Sequence, residues 1–370
     1  MIVKEMKILA KKMVSHSLGI KNGQKVYIDV LGRPSSFVEY LVRSIYEEGG
    51  KPFVKETDFS SYRALIEGGD KVHFEQLANY EVSKINAMDA YISIRADENI
   101  YELSNIDEKK YQVFLENYIF PIQMAMASLD KWLLIKWPTA GMAQLAKMNT
   151  NSFNELFFKS CTFDYKKMAE KVKPLKERLE NADQVRIVSP NTDLRFSIKG
   201  MSSFVCDGRY NLPDGEIFTA PILDSVNGKI KFNVPASLMG MNFDDINLEF
   251  ENGQIIHASC NNMGQLLKLI EKDRGSKQIG EFGIGLNTNI KHTTNSLIFD
   301  EKMSGSIHLA LGQAYEMADN GNKSSIHLDM VLNQSLEQGG GELYFDNELI
   351  RKDGLFVPSD LVDLNNLGCD

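Results

Sequence analysis

Ser306-Ile307-His308-Leu309 and Ser325-Ile326-His327-Leu328-Asp329 carry the same four residues twice, and the second copy ends on an acid. The chain has only six histidines, and two of them fall in this repeated setting. Alternate side chains of a β-strand share a face. Ile307 and Leu309, like Ile326 and Leu328, would then anchor each strand in a core. His308, His327 and Asp329 would point the other way, into one cavity. Imidazole and carboxylate aimed together suit a divalent metal.

Outward from these strands, the second half reads as further short strands at 184–189, 193–198, 229–233, 246–250, 306–311, 325–331 and 342–345. Asn227-Gly228, Asn252-Gly253 and Asp353-Gly354 supply turns between them. The first half alternates instead. Strand signals at 25–30 (KVYIDV), 52–55, 90–94 (AYISI) and 132–135 (WLLI) are separated by helical stretches. One of these, 35–48, stops at Gly49-Gly50; another, 108–129, is broken or kinked by Pro121. Alternation of this kind predicts a parallel sheet with crossover helices. The expected fold class is therefore an α/β N-terminal domain with a largely parallel sheet, 1–181, plus a β-rich α+β C-terminal domain, 182–370, that binds the metal. The charged segment 164–181, with Pro174 inside it, reads as a solvated surface helix leading from one domain to the other.

At 370 residues the chain exceeds the size at which single cores divide, which agrees with two domains. A net charge of −9 argues against nucleic acid as a partner. No apolar run reaches the roughly 18 residues of a membrane span, so no membrane partner is expected. The N-terminal stretch mixes Lys and Glu among apolar residues and reads as an amphipathic helix, not a signal peptide. Cys161, Cys206, Cys260 and Cys369 are scattered, with no C-x-x-C pair, and fit a cytoplasmic location.

Two glutamates stand among glycines and apolar residues: Glu216 in NLPDGEIFTAP (211–221) and Glu281 in IGEFGIGLN (279–287). Each reads either as a turn carboxylate capping a backbone amide or as a ligand in a crowded site. The run GEFGIG has the wrong spacing for a dinucleotide fingerprint, and no G-x-S-x-G elbow is present. A mononuclear iron oxygenase would place a distant His after the H-x-D pair, but none follows Asp329. Glu216, Glu281, His308, His327 and Asp329 together match the donor set of a two-metal hydrolase, whose ions stand about 3.5–4 Å apart. A further carboxylate must stay free to move the proton.

At these residues the chain resembles the thermophilic-type metallo-aminopeptidase family of aminopeptidase T, aminopeptidase S and PepS-like enzymes. The matching blocks are NLPDGEIFTAP, IGEFGIGLN, FDEKMSGSIHLALGQAY (299–315) and NKSSIHLDMV (322–331). The resemblance implies a homodimeric exopeptidase that removes N-terminal residues from peptides with a free N-terminus, using two divalent ions (zinc, cobalt or manganese). It implies metal ligands at Glu216, Glu281, His308, Tyr315, His327 and Asp329. Among these, Glu216, Glu281 and Tyr315 are read as catalytic: Glu281 bridging and Glu216 a ligand doubling as general base, roles the two glutamates could exchange, and Tyr315 a ligand or an oxyanion donor. Glu301 is either a site member or one half of a loop ion pair with Lys302. Two other readings stay open: a metal- or peptide-binding protein without turnover, and another two-metal hydrolase. A phosphoesterase would need Lys clamps from Lys291, Lys302 or Lys323, which also read as surface charges.

Overall fold

The computed structural model describes residues 2–34, 36–238 and 241–368, so Ser35 and Cys369 lie outside the described residues. Contacts divide the chain into two compact units, Met1–Thr162 with Gly208–Leu212 and Phe163–Asp207 with Pro213–Asp370. The sequence reading put the change at 181/182 instead.

The first unit is built on four strands: β1 (Lys25–Gly32), β2 (Lys51–Thr57), β3 (Ala90–Ala96) and β4 (Trp132–Lys136). They lie in the order β2-β1-β3-β4, with the short strand Asn211–Leu212 at the edge, and every pairing is parallel. Val26, Ile28, Val30, Ile92 and Ile94 are fully buried on one face. Each such side chain contributes about 1.5–3 kcal/mol through burial. The helix Phe37–Glu47 buries Phe37, Leu41 and Ile45, one turn apart.

The stretch 108–129 is one continuous helical run to Ala127, its α-helical pattern interrupted just ahead of Pro121 as the sequence leads one to expect. It runs as Glu108–Phe114, a π-helical turn Leu115–Ile119, and Phe120–Ala127. Pro121 has no N–H for the preceding turn and its ring crowds the carbonyl four residues back; the wider turn accommodates both. The segment 164–181 also divides, into Tyr165–Lys171 and Lys173–Asn181, with Pro174 in the first turn of the second helix. It is not wholly solvated: Tyr165, Met168, Leu175 and Leu179 form a buried stripe under its charges. It belongs to the second compact unit.

That second unit holds two antiparallel sheets of eight and five strands, besides a two-stranded ribbon. The eight-stranded sheet contains the expected strands Gln184–Ser189 and Glu342–Phe345 at their expected bounds. The turns at Asn252-Gly253 and Asp353-Gly354 have positive φ at both residues, the geometry that joins tightly twisted hairpins. The five-stranded sheet comprises β5 (Phe204–Cys206), β6 (Glu216–Thr219), β7 (Ile279–Gly285), β8 (Ser306–Gly312) and β9 (His327–Asn333), in the order β9-β8-β7-β6-β5. Every residue of β7 and β8 is buried, so it is a core sheet.

Strand β9 begins at His327, later than expected. Ser325 ahead of it is held instead by Asp273, whose Oδ2 accepts from the Ser325 N–H at 2.8 Å and hydroxyl at 2.9 Å. Among the described residues no helix is long and apolar enough to cross a membrane.

Candidate metal centre

Cross-strand partners in an antiparallel sheet share a face. Glu216 on β6 lies opposite Gly285 on β7. On β7, Glu281 faces Ala310 and Gly283 faces His308 of β8. On β9, Asp329 faces Ala310 and His327 faces Gly312. One sheet face therefore gathers Glu216, Glu281, His308, His327 and Asp329 over a floor of glycine and alanine. Neither glutamate is a turn carboxylate; both stand on strands. The apolar flanks behave as the alternation requires, with Ile307, Leu309 and Leu328 at 0% exposure.

The small floor residues are a steric requirement. A Cβ on Gly283 would lie 2.0 Å from His308 Cε1, so the imidazole rests directly on that glycine.

The polar atoms converge in two overlapping groups. Glu216, Glu281 and His308 form one; Glu281, His327 and Asp329 form the other. His308 Nε2 is 3.2 Å from Glu281 Oε1 and 3.6 Å from Glu216 Oε2. His327 Nε2 is 3.3 Å from both Glu281 Oε2 and Asp329 Oδ1. His327 Nδ1 lies 2.7 Å from the Gln313 carbonyl, which can only accept, so the proton sits on Nδ1. Nε2 faces two carboxylate oxygens, where it would offer its lone pair to a bound metal. Buried Glu216 Oε2, Glu281 Oε2 and His327 Nε2 have no hydrogen-bond partner. Lone pairs converging out of water are costly unless a cation lies among them, so the donor set fits divalent metal.

Each charge shift has an identifiable cause. Burial works against the His308 cation, but Glu216 and Glu281 outweigh it and push its pKa up to about 9. His327 also rises: burial opposes its charge, and Asp329 overcomes that penalty. Asp329 is held well below the ordinary carboxylate range; burial would raise it, but His327 prevails.

Lys302 is a buried member of the site, not a surface charge. Only 3% exposed, its Nζ lies 2.5 Å from Glu216 Oε1, 2.8 Å from Glu301 Oε1 and 4.0 Å from Asp214 Oδ1. Lys291 and Lys323, by contrast, are exposed. Glu301 does pair with Lys302, but inside the site and not on a solvated loop. Burial pushes its pKa up to about 7; Lys302 pulls it down while Asp329 and Glu216 push it up. The sequence reading passed over Asp214 and Cys206, which form a further group with Glu216. The position of Asp214 two residues before Glu216 was the available signal.

Tyr315 begins a short 3-10 turn, Glu316–Ala318, beyond β8. Its ring centroid is 4.7 Å from that of His327 and 5.7 Å from that of Phe218. The side chain is 45% exposed and marks the solvent side of the cluster.

The family model described as thermophilic metalloprotease (M29) matches residues 3–356. Aminopeptidase 2 of Geobacillus stearothermophilus is 24% identical over 415 aligned positions, covering 96% of this chain and 96% of its own. Wild-type AmpT from Thermus thermophilus superposes with a TM-score of 0.80 at 19% identity, covering 96% of this chain and 100% of its own. A 2,5-dihydroxypyridine dioxygenase from Pseudomonas putida KT2440 superposes at 0.62 and 15% identity, covering 96% of this chain and 98% of its own. The last two likenesses concern fold alone, and a fold shared with a dioxygenase does not select a reaction.

Proposed function

Because the chain belongs to the thermophilic metalloprotease (M29) family and is thereby a metal-dependent aminopeptidase, we propose that it releases N-terminal residues from peptides with two divalent ions held on the β6–β9 face. The observation that carries this reading is the sharing of Glu281 between two three-residue donor groups. Glu281 would be common to the two sites, with Glu216 and His308 completing one and His327 and Asp329 the other. Zinc, cobalt and manganese are all compatible with imidazole and carboxylate donors.

When bound, two such ions would supply the Lewis acidity that activates a water and the scissile carbonyl. The remaining work falls to the chain's own groups. Lys302 fixes the Glu216 carboxylate through Oε1 and leaves Oε2 facing His308. Glu301 stands outside both donor groups, so we assign it the proton transfer from the attacking water to the leaving amine, a task that suits a pKa near neutrality. Tyr315 donates a hydrogen bond to the carbonyl oxygen as charge develops there. A carboxylate or a metal of the site would receive the substrate's free α-amine, which restricts cleavage to chain ends. A cytoplasmic homodimer completes the proposal; the described cysteines are all unpaired.

Hydrolysis of aminoacyl-p-nitroanilides should stop on exhaustive chelation and return with cobalt, zinc or manganese. An N-acetylated substrate should not be cleaved. Full activity in metal-free protein, or equal cleavage of blocked substrates, would overturn the reading.

A further inference from the structure

The parallel sheet of the first unit buries two very different faces. One carries Val26, Ile28, Val30, Ile92 and Ile94, as strands covered on both sides ordinarily do. The opposite face carries charge at its centre. Asp29 on β1 lies opposite Lys55 of β2 and Ser93 of β3, and Arg95 lies one step further along β3, opposite Leu31. Apolar side chains would fill these positions at less cost, because partly desolvated ion pairs gain little net stability.

These charges line a cavity of about 190 Å3, whereas one water needs only about 10–15 Å3. Arg95 Nη2 and the Tyr91 hydroxyl both donate to Asp29 Oδ2, each at 2.9 Å. Across the cavity Glu81 Oε2 accepts from the Tyr27 hydroxyl at 2.8 Å, and its Oε1 lies 3.2 Å from Lys55 Nζ. The lining thus presents two cations and two anions beside an apolar wall that includes Leu65, Leu77 and Ile122. Burial works against the Lys55 cation, yet Tyr118, Asp29 and Glu81 hold its pKa above the ordinary value. Burial likewise works against ionised Glu81, but the Tyr27 hydrogen bond and Lys55 hold it below.

The cavity also sits where topology favours a ligand. Strand order reverses between β1 and β3, and Asp29, Lys55 and Arg95 all come from the C-terminal halves of their strands. Open α/β sheets bind ligands in the crevice outside the carboxyl ends of the strands at such a switch point, and this cavity extends from that end along the sheet face to Tyr91.

We propose that this cavity is a binding site for a small zwitterion, a free α-amino acid with an apolar side chain. Arg95 and Lys55 receive its carboxylate, Asp29 and Glu81 its ammonium, and the leucine and isoleucine wall its side chain. A zwitterion meets an opposite charge at both its ends, whereas a ligand of one sign would use only one member of each ion pair. An amino acid is also the product expected of an aminopeptidase, so the site offers product sensing. The binding claim itself rests on the first unit alone and not on that activity.

Calorimetric titration of L-leucine into the metal-loaded and the chelated full chain tests it. Saturable binding should appear in both forms, at least tenfold tighter than for leucinamide or 4-methylpentanoate, each of which lacks one charge. The paired change Asp29→Asn with Arg95→Gln should abolish that binding without changing metal content. Ile122→Trp, which fills the cavity from its apolar wall and keeps the charges, should do the same. Absence of saturable binding, equal affinity for the single-charge analogues, or binding that survives both variants would overturn the proposal. A chain that bound leucine in this way but cleaved no peptide would sink the enzymatic reading and leave this one standing.

Discussion

The imidazole of His308 occupies the space that a side chain on Gly283 would need; a Cβ there would lie 2.0 Å from Cε1 and 2.2 Å from Nε2. Gly283→Ala should therefore push the ring away from Glu216 and Glu281. Misplacing a reacting group by about 1 Å costs on the order of 100-fold in rate. We expect kcat/KM on leucine-p-nitroanilide to fall by about that factor, with an unchanged circular dichroism spectrum. A folded Gly283→Ala protein of normal activity would show that His308 takes no part.

Lys302 is the pivot of the buried charges, within 2.5 Å of Glu216 and 2.8 Å of Glu301. Lys302→Met removes the cation and leaves both carboxylates without it. Breaking a buried pair from one side typically costs about 3–5 kcal/mol. Urea unfolding of the metal-free variant should show a loss of that order, and added metal should restore part of it by neutralising Glu216. A metal-free variant as stable as its parent would mean that Glu216 and Glu301 are solvated or protonated already.

The sequence carried the metal centre further than it carried the sheet beneath it. His308, His327 and Asp329 could be placed on one face because strict alternation assigns a face at every step. Glu216 and Glu281 were visible as acids in unusual company, but their strands were not expected. Gly280, Gly283 and Gly285 give β7 the look of a loop, and their real use is to make room, Gly283 for the His308 ring. Lys302 escaped because a charge beside Glu301 resembles an ordinary exposed pair; only register and burial reveal three carboxylates around it. The late start of β9 was hidden for a similar reason. Ser325 repeats Ser306 in sequence, yet its backbone binds Asp273, more than fifty residues back in the chain.

That same contact gives a pH prediction. Asp273 caps the turn Arg274–Lys277 and accepts hydrogen bonds from Ser276, Ser324 and Ser325. Burial would raise its pKa, but these bonds outweigh it and hold the carboxyl well below the ordinary range. A group depressed on folding contributes stability above its unfolded pKa of about 3.9, and the contribution is lost as pH falls toward the folded value. Asp273→Ala should lower stability at pH 7 by about 1 kcal/mol, the usual worth of such a cap. The gap from the parent should close as pH drops below about 4. Paired denaturation curves across that window measure it; a gap that held constant into acid would show that the carboxylate charge is not what stabilises the turn.

Glu281 belongs to both donor groups, whereas His308 and His327 each belong to one. Metal content should follow that membership. Elemental analysis should find two ions per parent chain. His308→Ala and His327→Ala should each retain one, and Glu281→Gln neither. A ligand that binds only the folded state stabilises it by about 2.7 kcal/mol at 100 times its dissociation constant. Chelation should accordingly lower the melting temperature of the parent, lower that of each histidine variant by less, and leave Glu281→Gln where it was. If Glu281→Gln kept one tightly bound ion and still responded to chelation, Glu281 would serve a single site and the bridging arrangement would be wrong.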